Sequence, residues 1–286
     1  MNNDRIQEIL DLMEEARLDY FLISDPQSIA YCTGYYNDPH ERMFVFMISK
    51  HGNHTLFMND LFYLEHDLDV NIVWHKDGQD AIQTIVDEMH FPGRIGIDKN
   101  WASHFLLDLM KKLPDAKYIN ASPCVDLVRM KKDLQEQVLM IESSKINDAV
   151  MEEIIPFIQE GVTEKQLAKK LDELFFNHHS TCYGAIVAFG KNAADPHHEN
   201  DDTPLRKGDC VLIDMGCVYK GYCSDMTRTF FYEGILEEEI KVYEIVKKAN
   251  EAAEAMIKPG VKLSDIDKCA RKVISDEGYG NILHIV

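Results

Sequence analysis

Two neighbouring runs of apolar, β-branched and aromatic residues indicate the fold: Val211-Leu-Ile-Asp-Met-Gly216 and Tyr222-Cys-Ser-Asp-Met-Thr-Arg-Thr-Phe230. Lys220-Gly221 lies between them, and a two-residue turn at this dipeptide predicts an antiparallel hairpin. In the register that such a turn produces, Asp214 and Asp225 are diagonal neighbours on one face of the sheet. The hairpin therefore brings two carboxylates to within about 8 Å of each other.

A carboxylate in an apolar strand needs a partner, because burying an unpaired charge is costly. The predicted register pairs Gly216 with Asp225, and the two close carboxylates then suit a shared cation. In the alternative interpretation, one aspartate caps a strand end and the other pairs with Arg228 or Lys220. The period of two in a strand directs Arg228 to the face opposite Asp225, and a one-residue slip of register would separate the aspartates. The pattern favours Asp214 and Asp225 as metal ligands.

A polar loop carries the third candidate group. Ala194-Asp-Pro-His-His198 follows a strand predicted at 185–189. A His-His pair in such a loop is often only solvated. Gly208-Asp209 supplies a turn before the next strand, so the loop can return His197 to the carboxylates.

The first hundred residues alternate between helical and strand patterns, which is typical of layered α/β structure. The spacing of Ile6, Ile9 and Met13 predicts a helix, and a long helical pattern ends before Pro156. The composition changes near 121–123, so we expect one domain at 1–123 and a second at 124–286. The other predicted strands lie at 20–23, 43–48, 55–58, 72–74 and 94–97, and the other predicted helices at 81–89, 105–113 and 133–155.

The second domain contains a repeated unit in which a helix, a proline and a capped helix follow one another. Thr163 and Gln166 have the spacing of a capping box at the start of one helix. Ser264 and Asp267 have the same spacing later in the chain. The repetition predicts a pseudo-symmetric domain.

The composition excludes several classes of function. The chain of 286 residues has 30 Lys and Arg against 49 Asp and Glu, for a formal net charge of -19. This charge repels phosphate backbones and anionic lipid, so we expect no nucleic-acid and no membrane partner. Neither a membrane-length apolar run nor a signal-peptide pattern occurs, and we expect a cytoplasmic protein. Cys210, Cys217 and Cys223 alternate with apolar residues, which favours packing in the core over metal ligation.

Together these motifs resemble the creatinase-like, or pita-bread, metallopeptidases, and within them the Xaa-Pro dipeptidases and aminopeptidases P. The similarity is dense from about residue 125 onward. It is looser before that, where the chain resembles the ribonuclease-H-like amino-terminal domain of the prolidase branch. The matching segments are Tyr31-Cys-Thr-Gly34, Arg129-Met-Lys-Lys-Asp133 with Glu136, Gly161-Val-Thr-Glu164, 186–194, Pro196-His197, 208–216 and 221–230.

The resemblance implies an α/β (α+β) fold, in which a ribonuclease-H-like domain precedes a pita-bread catalytic domain. It implies two divalent metal ions, Mn first and Co, Zn or Fe as alternatives. Asp214 corresponds to a ligand of one metal and Asp225 to a shared ligand. His197 corresponds to a histidine that contacts the substrate or tetrahedral intermediate, and His284 to an accessory substrate-binding histidine.

The remaining ligands of the family pattern, one His and two Glu, do not occur in the sequence. We therefore expect the pita-bread domain to be incomplete at its carboxy-terminal end. We also expect the chain to bind metal weakly and to hydrolyse little.

The implied activity is metal-dependent hydrolysis of peptide bonds next to proline, in which a metal-bridging water attacks the carbonyl. The implied partners are proline-containing di- or oligopeptides and a second copy of the chain in a homodimer. One alternative is aminopeptidase P activity on longer peptides. Another is a non-catalytic pita-bread protein that binds peptides or dimerises. The amino-terminal domain disfavours a methionine-aminopeptidase-like specificity.

Overall fold

The computed structural model describes residues 1–90 and 92–282, and it divides the chain into two compact units, Met1–Lys132 and Asp133–Val286. The division falls after the predicted boundary at 123–124, because a helix at Ser122–Met130 packs against the first helix of the chain. None of the described helices combines the length and apolar character needed to cross a membrane.

The amino-terminal unit alternates strands and helices as the sequence pattern predicts. Its helices are α1 (Asn3–Glu15), α2 (Pro26–Thr33), α3 (Ala81–Glu88), α4 (Ser103–Lys112) and α5 (Ser122–Met130). Its strands are β1 (Tyr20–Ile23), β2 (Val45–Ser49), β3 (Thr55–Asn59), β4 (Asn71–His75), β5 (Arg94–Ile97) and β6 (Lys117–Asn120).

These strands form one mixed sheet in the order β4-β3-β2-β1-β5-β6. Strand β2 is antiparallel to β1 and β3, whereas β1, β5 and β6 are parallel, as are β3 and β4. Every residue of β1 is buried. Phe21 and Ile23 pack with α1, α2 and α5 on one face of the sheet, and Tyr20 and Leu22 pack with α3 and α4 on the other.

The second unit begins with a long helix. Its helices are α6 (Leu134–Ile154), α7 (Glu164–Asn177), α8 (Glu237–Glu254) and α9 (Leu263–Asp276), with short 3-10 turns at Ile155–Phe157, Gly190–Ala194 and Gly280–Ile282. Its strands are β7 (Thr181–Cys182), β8 (Ile186–Phe189), β9 (Cys210–Tyr219) and β10 (Tyr222–Phe231). Strand β9 is central, since it pairs antiparallel with β10 on one side and with β7 and β8 on the other.

Helix α6 covers the back of the β9–β10 hairpin. The hydroxyl groups of Ser143 and Ser224 lie 2.9 Å apart, and the Ser224 hydroxyl also donates to the Ser143 carbonyl oxygen at 3.0 Å. Apolar residues of α6 and α7 pack with Val211, Ile213 and Met215 in one core. This packing leaves the opposite face of the hairpin for the aspartates.

Several sequence predictions need correction. The expected capping box of Ser264 and Asp267 is wrong, because α9 begins after Lys262 without a side-chain cap and Ser264 lies inside its first turn. The box at Thr163 and Gln166 is confirmed by both of its hydrogen bonds. The predicted core packing is confirmed for Cys217, which is buried, whereas Cys210 is half-buried and Cys223 is exposed. No sequence pattern was recognised for helices α2 and α5 or for strand β6.

Candidate active site

The β9–β10 hairpin has the predicted register. Lys220 and Gly221 form its turn with φ angles of 48° and 84°, the left-handed conformations that a type I′ turn requires. Asp225 lies opposite Gly216, and Asp214 lies opposite Thr227. Because opposed residues and residues two apart share a face, Asp214, Asp225 and Thr227 project to the same side.

The two aspartates lie on an open face, where Asp214 is half-buried and Asp225 is exposed. The cost of burying an unpaired charge therefore applies only in part to Asp214 and not to Asp225. Thr227 donates its hydroxyl to Asp214 Oδ1 at 2.5 Å. Within residues 1–90 and 92–282, neither aspartate has a cationic partner: the Arg228 guanidinium donates to the Thr227 carbonyl oxygen, and the Lys220 ammonium lies over the Tyr219 ring.

Tyr183 is a site residue that sequence reasoning missed. Its hydroxyl donates to the Ser224 carbonyl oxygen at 2.8 Å and lies directly over Gly216. Partial desolvation and the neighbouring charge of Asp225 raise the pKa of Tyr183 to about 12. A Cβ atom at Gly216 would approach the Tyr183 hydroxyl to 2.3 Å. Gly216 was the available signal, because a glycine inside a strand often marks a close approach.

His197 lies in an exposed loop between β8 and β9, which we define as residues 190–203 and call the His197 loop. Its backbone N–H donates to Asp195 Oδ1 at 3.0 Å. Among the described residues, its imidazole has no hydrogen bond with Asp214 or Asp225. The structure thus brings the two aspartates together but does not join His197 to them. His284 lies outside the described residues.

Glu164, the first residue of α7, has a fully buried side chain that joins this helix to the His197 loop. Its Oε1 accepts hydrogen bonds from the Phe189 backbone N–H and the Asn192 amide, both at 2.9 Å. Its Oε2 accepts from His198 Nε2 at 2.7 Å and from the Asp201 backbone N–H at 3.1 Å. Each carboxylate oxygen therefore has two donors.

Among residues 1–90 and 92–282, we compare two groups of side chains that have the chemistry to hold a metal ion. Glu164, His198 and Asp201 offer ligand atoms within 4.8 Å of one another. Glu164 does not fit a metal, since a cation would have to displace hydrogen bonds that already fill both oxygens. Asp214 and Asp225 fit better, because two hard oxygen donors without a cationic partner suit a divalent ion such as Mn.

The family models match both units of the chain. Residues 5–131 match the creatinase/prolidase N-terminal domain, and residues 138–286 match metallopeptidase family M24. An uncharacterized peptidase of Staphylococcus aureus (strain bovine RF122) is 30% identical in an alignment of 285 positions that covers 96% of this chain and 80% of the relative.

Solved structures are similar over nearly the whole chain. The prolidase from Thermococcus sibiricus has a TM-score of 0.91 at 29% identity, over 98% of this chain and 79% of that one. The Xaa-Pro dipeptidase from Bacillus anthracis has a TM-score of 0.87 at 26% identity, over 97% and 78%. The X-Pro aminopeptidase from Thermotoga maritima has a TM-score of 0.78 at 26% identity, over 95% and 79%. The chain belongs to metallopeptidase family M24 and carries a creatinase/prolidase amino-terminal domain and a pita-bread catalytic domain.

Proposed function

We propose that this M24 peptidase hydrolyses Xaa-Pro dipeptides, with Asp214 and Asp225 as ligands of divalent metal. The observation that carries the proposal is the placement of both carboxylates on one open face of the hairpin without a cationic partner among the described residues. Similarity to a solved prolidase and a solved Xaa-Pro dipeptidase supports the substrate class.

The residues around the aspartates orient them. Thr227 donates to one oxygen of Asp214 and so restricts the rotation of this carboxylate. Tyr183 is near enough to Asp225 for the aspartate charge to contribute to the raised pKa of the phenol. Bound divalent ions supply a water of lowered pKa and polarise the scissile carbonyl.

His197 is the proposed donor to the oxygen of the scissile carbonyl. Its exposed imidazole is free to approach a substrate, and a positioned donor stabilises the charge that develops on this oxygen. A peptide bond before proline has no N–H. Selectivity must therefore come from the shape of the pocket and from contacts with the carbonyl and the free amine.

The amino-terminal unit supports the creatinase/prolidase group. We propose a ribonuclease-H-like topology for this unit from the order of its strands, β3-β2-β1-β5-β6. In this order β2 is antiparallel to its neighbours, and β1, β5 and β6 are parallel. Strand β4 extends that sheet beside β3.

The test combines MnCl2 titration calorimetry with hydrolysis assays on Ala-Pro, Ala-Ala and Ala-Pro-Ala. We expect weak Mn binding and slow cleavage of Ala-Pro that EDTA abolishes. Asp225→Asn and Asp214→Asn should each lower Mn affinity by about tenfold or more, because loss of outer-shell partners alone costs about 10- to 100-fold. Asp276→Asn is the control, since Asp276 forms a surface pair with Lys272 on α9.

Each contrary result removes one part of the proposal. Unchanged Mn binding in Asp225→Asn would contradict the metal assignment. Cleavage of Ala-Ala as fast as Ala-Pro would contradict the proline specificity. Cleavage of Ala-Pro-Ala without cleavage of Ala-Pro would favour an Xaa-Pro aminopeptidase.

A further inference from the structure

Glu164 anchors the His197 loop on both sides of His197. Phe189 and Asn192, which donate to Oε1, precede His197 in the chain. His198 and Asp201, which donate to Oε2, follow it. A buried carboxylate with donors from both halves of a loop fixes the backbone path between them.

The backbone of α7 reinforces the far end of the loop. The Glu164 N–H donates to the Thr203 carbonyl oxygen at 3.3 Å, and the Lys165 N–H donates to the Asp201 carbonyl oxygen at 3.2 Å. The His198 side chain is only 12% exposed, although His197 beside it is exposed. The two adjacent histidines therefore have opposite environments: His198 points into the protein, and His197 is left to solvent.

We propose that Glu164 and His198 are positioning residues for His197, an inference that rests on the proposed role of His197 in peptide hydrolysis. The buried hydrogen bond of 2.7 Å between His198 Nε2 and Glu164 Oε2 fixes the backbone next to His197. The Cα atom of His197 then has one defined position, although no described side chain binds the imidazole ring. Positioning matters because a misplacement of about 1 Å can cost about 100-fold in rate.

The pair His178–Glu153 supplies a matched control. In this pair, too, a histidine Nε2 contacts a glutamate oxygen, at 3.0 Å. The side chains are more exposed, 31% for His178 and 46% for Glu153, and the pair lies outside the His197 loop. His198→Leu removes the donor to Glu164, whereas the amide of His198→Gln reaches the position of Nε2 and restores it. His178→Leu removes the donor of the control pair.

The experiment has two readouts, the ring nitrogen signals of His197 in protein labelled with 15N-histidine, and kcat and KM for Ala-Pro with MnCl2. His197→Asn identifies the His197 signals. In His198→Leu we expect these signals to shift or broaden, and kcat to fall by about tenfold, as for a misplacement smaller than about 1 Å, while KM stays nearly constant. His198→Gln should recover both, and His178→Leu should change neither.

Unchanged His197 signals in folded His198→Leu protein would overturn the proposal, whatever the rate. If His198→Leu does not fold, the milder Asn192→Ala tests the proposal, because it removes one donor to Glu164 Oε1. It should shift the His197 signals by a smaller but measurable amount, and unchanged signals would overturn the proposal. The His197 signals can be measured by nuclear magnetic resonance whether or not the chain cleaves Ala-Pro. Absence of Ala-Pro cleavage in the unmodified chain would therefore contradict the proposed function, while the His197 signals still decide whether Glu164 and His198 position this residue.

Discussion

Two carboxylate sites of the catalytic domain have the same chemistry in opposite environments: Glu164 at the start of α7, and the Asp214–Asp225 pair on the hairpin. Glu164 is fully buried and accepts four hydrogen bonds. Asp214 is half-buried with one donor from Thr227, and Asp225 is exposed. The difference shows that proximity of potential ligands does not identify a metal site. The decisive property is whether the oxygens still have free acceptor capacity.

The difference in hydrogen bonding between Glu164 and the aspartate pair also separates a role in stability from a role in function. A saturated buried carboxylate stabilises the fold, because its removal leaves donors without partners. A pair of like charges on an open face contributes little to the free energy of unfolding, and its close approach is useful only when a cation joins it. We therefore expect substitutions at the two places to affect different measurements.

The largest effect on stability is expected at Glu164. Glu164→Leu leaves the Phe189 and Asp201 N–H groups and the His198 ring without an acceptor. We expect the free energy of unfolding to fall by about 3–5 kcal/mol, measured by urea denaturation followed by circular dichroism. Glu173→Leu on the same helix should change it by no more than about 0.5 kcal/mol, because Glu173 forms an exposed pair with Lys170. Equal effects of the two substitutions would show that the Glu164 hydrogen bonds do not stabilise the domain.

A smaller effect is expected at Gly216. The methyl group of Gly216→Ala would lie 2.3 Å from both the Ser224 carbonyl oxygen and the Tyr183 hydroxyl. We expect a loss of about 1–3 kcal/mol, the usual cost of overpacking, together with weaker Mn binding because Tyr183 moves from Asp225. Tyr183→Ala in the same chain should recover part of the stability but not the Mn affinity. Full stability of Gly216→Ala alone would contradict the close approach of Tyr183.

The smallest effect on stability is expected at Asp225. Without metal, Asp225→Asn should change the free energy of unfolding by no more than about 0.5 kcal/mol. MnCl2 should raise the melting temperature of the unmodified chain, since a ligand that binds only the folded state stabilises it, and this rise should be lost in the variant. A rise of the same size in Asp225→Asn would place the metal elsewhere. Differential scanning calorimetry with and without EDTA makes the comparison.

The sequence predicted the parts of the site that depend on local geometry. The turn at Lys220-Gly221 determines the pairing of ten residues on each strand, so the shared face of Asp214 and Asp225 followed from counting. The capping box at Thr163 likewise needs contacts only three residues apart. The similar spacing at Ser264 did not make a cap, because the chain enters α9 two residues earlier, after Lys262.

The features of the site that the sequence did not predict depend on contacts between residues distant in the chain. Tyr183 reaches Ser224 across 41 positions, and Glu164 reaches His198 across 34. Glu164 was recognised only as part of a matching segment, since an acidic residue in the first turn of a helix is ordinary. Nothing in the local pattern distinguished buried His198 from exposed His197.

The sequence by itself determined the class of the two units, the hairpin register and the common face of the two aspartates, because strand and turn periodicities are properties of neighbouring residues. Only the tertiary structure decided which carboxylates have hydrogen-bond partners, how deeply each is buried, and which of two adjacent histidines faces the interior. Burial and hydrogen-bond saturation depend on segments that approach from elsewhere in the chain. For this reason the candidate metal ligands could be identified from the sequence, whereas the anchor of the His197 loop required the folded structure.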